Sequence, residues 1–195
     1  EEKYPGVCQA IADKKIKVCR EDELDRTADQ YERDGYVLLG IGGGRFDEHA
    51  TNTTARKSDE CCATLVAKDL GIDKLPELSE ILKFVTAGDL NASSHPFDMS
   101  AMVISINAQY PSDPFVVIDF AFTALHAKYA EQYDFHVTAK AEAEKAVVEE
   151  VLTASGKKLK MVTIETDNES ITKYLRSRAG GGADIIVKKN SRGQV

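Results

Sequence analysis

Tyr36-Val-Leu-Leu-Gly-Ile-Gly-Gly-Gly-Arg-Phe-Asp-Glu-His49 changes character halfway along its length. Tyr36 to Ile41 is a short, nearly continuous apolar run of strand-forming residues, which predicts a buried strand. Three consecutive glycines follow, the residue type that lets a chain turn sharply or approach another group closely. Asp47, Glu48 and His49 come next. In an open α/β sheet, ligands bind at the strand ends and the loops beyond them, so this trio stands where chemistry is expected. Two carboxylates and one imidazole suit Mn, Mg, Fe or Zn. The same residues also suit an exposed polar turn with an Asx or capping role, and composition alone leaves both readings open.

Outward from the trio, Thr51 to Lys57 is polar and unpatterned, and from Ser58 the pattern becomes helical. Ser58 is a candidate N-cap, and Asp59 and Glu60 suit a first turn. Cys62, Leu65, Val66 and Leu70 share one face, and Gly71 ends the helix. Pro76 to Thr86 is a second amphipathic helix with Leu78, Ile81, Leu82 and Val85 inward. Ala87-Gly88 is expected to stop it, which leaves Asp89 in a turn.

The run GGGRFDEHA, with ECCATLVAKDLGI after it, resembles the Asp-His-His signature region of the DHH phosphoesterase superfamily, in particular its branch of metal-dependent hydrolases. The resemblance covers roughly Tyr36 to Asn91. It implies an α/β fold in which a parallel sheet is flanked by helices. It implies a metal set of Asp47, Glu48 and Asp89, with Glu48 standing where the signature's first His falls. It implies that His49 contacts a substrate phosphate, with Arg45 as an outer helper. The cofactor so implied is Mn or Mg, with Zn or Fe as alternatives. A carboxylate can replace an imidazole as ligand to a hard divalent ion.

Two departures accompany the match. Gly40 stands where the family usually carries a metal-bridging Asp, and the first metal-binding segment, a His followed by spaced aspartates, is not visible. The first β-α unit of such a domain would lie before Tyr4, which points to a truncated domain. A non-enzymatic relative, serving as a binding or structural module, is the competing expectation.

The remainder of the chain sets bounds. At 195 residues it can bury a real core, and its formal charge of −7 argues against a protein coated in nucleic acid. No apolar run approaches membrane-spanning length and no signal-like start is present, so a cytoplasmic protein with no membrane partner is expected. Cys8, Cys19, Cys61 and Cys62 lack ligand-pair spacing, which favours reduced thiols. Short or solvated helices are expected over Tyr4 to Ile16 and Glu21 to Asp34, with a brief strand at Lys17 to Cys19. Phe97 to Tyr110 is expected to be a helix with Asp98 as cap. Asp113 and Pro114 open a long helix holding Phe122, Leu125 and Tyr129. Within it, Asp119 interrupts an apolar run and calls for a partner or a site role.

Lys140 to Leu152 continues as helix in this reading, and Thr153 to Lys158 is the linker. Residues 1–152 then form the metal domain. Residues 159–195 form a small β-α-β piece of a second, substrate-closing domain, with strands at Leu159 to Glu165 and Ile185 to Val187 and a helix capped by Asp167. That piece concentrates Arg176, Arg178, Lys188 and Lys189 beside Gly180 to Gly182. With His95, these are candidate contacts for a small phosphorylated substrate or short single-stranded RNA. The glycines match no Walker or dinucleotide fingerprint. A homodimer is compatible with this reading.

Overall fold

Val162 and Ile164 alternate along one strand, and Ile171, Tyr174 and Leu175 recur at helical spacing soon after. Those five residues form the centre of the chain's one cluster of buried apolar side chains among the described residues. In the computed structural model, which describes residues 3, 4, 6–49, 59–91 and 95–195, the chain divides into two units, Glu1–His126 and Ala127–Val195.

The second unit holds the sheet. After a π-helical turn at Asp134–Thr138 come α7 (Ala139–Ala143), β1 (Val147–Leu152), β2 (Lys158–Glu165), α8 (Ser170–Arg176) and β3 (Ile185–Lys189). The strand order is β1-β2-β3. β1 runs antiparallel to β2, with Val147 opposite Thr163. β3 runs parallel to β2, with Met161 opposite Ile185, and α8 makes the crossover. Ala139 of α7 and Ala183 complete the buried cluster, and Phe135, Ala143, Ala146 and Ile186 pack against it. The Phe135 and Tyr174 rings meet edge to face, their centroids 5.5 Å apart.

Three expectations are corrected here. The helix expected over Lys140 to Leu152 ends at Ala143, where the Lys145 and Ala146 N–H groups turn back onto the Glu142 and Ala143 carbonyls at 2.9 and 3.1 Å. Val147, Val148, Val151 and Leu152 then take the extended form that β-branched chains favour. Thr153 to Lys158 is not a linker between domains but the turn of the β1–β2 hairpin. Thr153 N–H donates to the Lys157 carbonyl and Gly156 N–H to the Thr153 carbonyl, both at 2.9 Å. The compact units meet at 126/127. The α/β class stands, but the sheet is mixed, not parallel.

The first unit carries α1 (Val7–Ala12), α2 (Ala28–Arg33), α3 (Cys62–Asp69), α4 (Pro76–Asn91), α5 (Met99–Gln109) and most of α6 (Pro114–Tyr133). Its described residues include no strand, so neither Tyr36 to Ile41 nor Lys17 to Cys19 forms the strand expected. A strand needs a neighbour for its backbone donors and acceptors, and none pairs with these segments among the described residues. Tyr36 and Leu39 are each 56 % exposed.

Local signals held better. Thr27 and Gln30 form a reciprocal capping box on α2. Asp98 caps α5 by accepting from Ala101 N–H at 3.0 Å, and Asp113 accepts from Phe115 N–H at 3.1 Å as α6 begins. Cys61 occupies the cap position of α3, its N–H donating to the Thr64 hydroxyl at 3.0 Å. Ser58 lies outside the described residues. Asp167 does not cap α8; it accepts from Ser191 N–H at 3.1 Å, while Asn168 accepts from Ser170 N–H at 2.7 Å. Among the described residues no helix is long and apolar enough to cross a membrane.

Gly180 closes the end of α8. A Cβ there would overlap the Tyr174 carbonyl oxygen. Gly180→Ala should therefore cost about 3 kcal/mol, the upper end of overpacking penalties. At Gly156, where φ is +81° but space is open, alanine should cost only about 1–2 kcal/mol. Urea unfolding of both variants checks the ranking.

Candidate metal centre

The backbone between Leu39 and His49 folds back on itself. Gly40 N–H donates to the Phe46 carbonyl at 2.9 Å and Asp47 N–H to the Gly44 carbonyl at 3.3 Å. Gly40 and Gly42 adopt φ of +64° and +78°, which a side chain would resist. At Gly42 a Cβ would also press on Leu24 and Leu38, at 3.0 and 3.3 Å from their Cδ1 atoms. The glycine run is thus required by both conformation and close approach.

The loop presents Asp47, Glu48 and His49 together. One ligand atom from each lies within 4.8 Å of the others. Asp47 and Glu48 are each only 5 % exposed. The Asp47 Oδ2 atom accepts from Gly43 N–H at 2.7 Å and Oδ1 from His49 N–H at 2.9 Å. The His49 Nδ1 atom lies 3.3 Å from Asp47 Oδ1 and 3.6 Å from Glu48 Oε1. Glu48 Oε2 is buried and has no hydrogen-bond partner among the described residues.

This donor set fits a divalent cation. Bonds of about 2.0–2.5 Å to one ion allow ligand separations up to about 5 Å. A buried carboxylate oxygen without a donor is costly unless something compensates it, and a cation between these three groups would do so.

The other residues singled out in the sequence stand elsewhere. Arg45 is paired with Glu32 at 3.0 Å, and its guanidinium lies over the Phe46 and Tyr4 rings at 4.6 and 5.2 Å. It braces the loop from outside. Asp89 is not in a post-helical turn. α4 continues through Gly88 to Asn91, and Asp89 is exposed on its last turn, outside the three-residue group. Gly88 is held inside the helix, and a Cβ there would lie 3.2 Å from Ser100 Oγ, so the glycine serves close approach rather than termination. His95 is exposed in the turn before α5, its Nδ1 accepting from Phe97 N–H at 3.1 Å. Asp119 is exposed on α6 and needs no buried partner.

The basic candidates lie in the second unit. Lys188 donates to the Asn168 carbonyl at 2.9 Å and reaches Glu169 at 3.1 Å, and Lys189 is 3.6 Å from Glu165. Arg176 and Arg178 are exposed. The amides of Gly180, Gly181 and Gly182 already donate to Ser177 Oγ, the Arg178 carbonyl and the Ser177 carbonyl. The glycine loop therefore seals the end of α8 and offers no free amide cradle to a phosphate.

A cleft of about 540 Å³ adjoins Gly42 to Gly44 on the side of Asp25, Arg26 and Thr27. Asp47, Glu48 and His49 do not line it. Glu21, Asp25 and Asp29 on its wall outnumber Arg26, which is already paired with Asp25 and Asp34. Its charge does not favour a phosphate.

Sequence reasoning did not single out Cys62 as part of this environment. Burial raises its thiol pKa from 9.0 to about 11, and the charge of Glu48 is the largest electrostatic contribution, with smaller ones from Cys61 and Asp47. A backbone hydrogen bond from Gly40 acts in the opposite direction. Only the thiolate reacts with alkylating agents, so in metal-free protein Cys62 should resist iodoacetamide near pH 8 and react progressively as pH approaches 11. Between pH 9 and 11 the unfolded chain releases this proton while the folded chain keeps it, so the contribution of Cys62 to stability falls as pH rises across that window. Peptide mapping after pulsed alkylation measures the first, and urea midpoints across pH the second. No family model, no curated protein and no solved structure matches the chain, so the reading of this centre rests on its own geometry.

Proposed function

We propose that the chain is a divalent-metal-dependent phosphoester hydrolase centred on Asp47, Glu48 and His49, acting on a nucleotide or short RNA end. The observation that carries the reading is the Glu48 carboxylate, buried to 5 % exposure with Oε2 unpartnered beside a second carboxylate and an imidazole. The resemblance to the DHH signature supports the choice of phosphoester chemistry.

Asp47 and Glu48 would hold the ion, with Mn or Mg favoured by their hard oxygens and Zn or Fe by the imidazole. Such an ion supplies Lewis acidity toward a phosphoryl oxygen and lowers the pKa of a coordinated water. His49, 37 % exposed at its side chain, is the member of the trio that reaches solvent, and it would meet the negative charge of the phosphoryl group. Asp47 holds the loop in shape through its two backbone donors. Arg176 and Arg178 would steer an anionic substrate electrostatically.

The reading in which the chain is a binding or structural module draws on a different observation. Asp47 already has a structural task in accepting from Gly43 and His49, which a polar turn requires without any ion.

Glu48→Met separates the two. Replacing a buried, unpartnered carboxylate with an apolar chain of similar length should stabilise the metal-free protein by about 1–3 kcal/mol. Mn at a hundredfold excess over its dissociation constant should stabilise wild type by about 2.7 kcal/mol and the variant hardly at all. Urea titrations with and without Mn, alongside hydrolysis of a dinucleotide and a phosphoester panel, make the test. A Mn-induced shift equal in both proteins would remove Glu48 from the centre, and metal binding without turnover would favour the module.

A further inference from the structure

We propose that Cys62 is the fourth protein ligand of the Asp47–Glu48–His49 centre, and that its sulfur selects a thiophilic borderline ion, zinc or ferrous iron, over magnesium or manganese. The inference rests on the reading of that trio as a metal site.

Cys62 is the first residue of α3 and is half-buried. It packs against the fold-back that presents the trio. A Cβ at Gly40 would lie 3.7 Å from Cys62 Cβ and 4.0 Å from its Sγ. Gly40 is itself joined to the Phe46 carbonyl at 2.9 Å, one residue before Asp47. Cys62 thus stands in van der Waals reach of the backbone that leads into the carboxylates. Glu48 supplies the independent sign of a missing ligand, because its buried Oε2 has no donor. Glu48 and Asp47 both act electrostatically on the Cys62 sulfur.

The neighbouring cysteine is not equivalent. Cys61 Sγ lies 3.5 Å from Thr86 Oγ1, and its backbone N–H is held by Thr64, so it is occupied in capping α3. Cys62, at the first position of α3, instead faces the Gly40 backbone.

The Cys62 sulfur is not one of the atoms already gathered within 4.8 Å. Its recruitment would require a change of χ1, which at the first helical position no preceding turn obstructs. On binding, the thiol proton passes to solvent and a sulfur lone pair forms the bond to the ion. Two carboxylate oxygens, one imidazole nitrogen and one thiolate then make a four-coordinate set of the kind zinc accepts. A thiolate in the set penalises magnesium and manganese, which prefer oxygen.

The test is cobalt substitution in the full chain. Wild type and Cys61→Ala should bind Co²⁺ with a near-ultraviolet sulfur-to-cobalt charge-transfer band, and Cys62→Ala and Cys62→Ser should bind without it. In competition titrations, Cys62→Ala should lose zinc affinity by at least about tenfold while manganese affinity changes by less than about twofold. The serine variant, nearly isosteric, keeps the test valid where alanine disturbs packing. Cobalt bound without the band in wild type, with zinc affinity unchanged in both variants, would overturn the role of Cys62 and leave the metal centre standing. No cobalt bound by wild type, or binding indifferent to Glu48→Met, would overturn both.

Discussion

The Asp47 carboxylate, held between Gly43 N–H at 2.7 Å and His49 N–H at 2.9 Å, is the contact on which the first unit's chemistry depends. It ties the glycine run to the residues beyond it, so that the chain reverses within a few residues. Charge-assisted bonds of this type are roughly twice as strong as neutral ones. The left-handed glycines make the reversal affordable, since any other residue at Gly40 or Gly42 would add strain to a turn already crowded by Leu24 and Leu38.

The reversal has an electrostatic consequence. It sets two carboxylates within 4.8 Å of each other at 5 % exposure. Like charges at that separation repel by about 3–4 kcal/mol at an effective dielectric near 20. Asp47 has its two amides to offset this. Glu48 has the His49 imidazole at 3.6 Å, which is beyond hydrogen-bonding distance, and nothing on Oε2. The imbalance is local to Glu48. Folding alone would favour an apolar residue there, and a cation between the three groups would relieve the imbalance.

The site was more legible than the fold, for reasons that differ by range of interaction. Asp47, Glu48 and His49 are adjacent in sequence, so a turn-forming run before them sufficed to predict their meeting. Asp98 and Asp113 were legible because a cap acts within three residues. Tyr36 to Ile41 has strand composition, but a strand exists only with a partner, and composition carries no information about one. Lys140 to Leu152 was misread because Ala, Glu and Lys at its start favour helix strongly. The decisive signal lay in Val147, Val148 and the Ser155-Gly156 turn, which pair β1 with β2. Cys62 was read as one more apolar face residue of α3. Its place beside the Gly40 backbone, within the electrostatic reach of Glu48, is a long-range fact that helical periodicity cannot express.

Three ligands from consecutive residues also constrain what the centre can be. Closing a loop between distant ligands costs chain entropy that rises with its length, and here that cost is nearly absent. The opposing cost is conformational, because successive side chains of an extended chain point to opposite faces. Bringing Asp47, Glu48 and His49 to one point demands a bent backbone, which the His49 N–H holds by donating to Asp47 Oδ1. A centre built this way is preformed by local geometry and needs no sheet beneath it. That is why the trio can assemble in a unit whose described residues form no strand. The first unit's apolar residues are mostly half-exposed, and its deeply buried members include Phe46, Asp47, Glu48 and Cys61. An ion bound at the centre would therefore stabilise a part of the chain that apolar packing leaves weak.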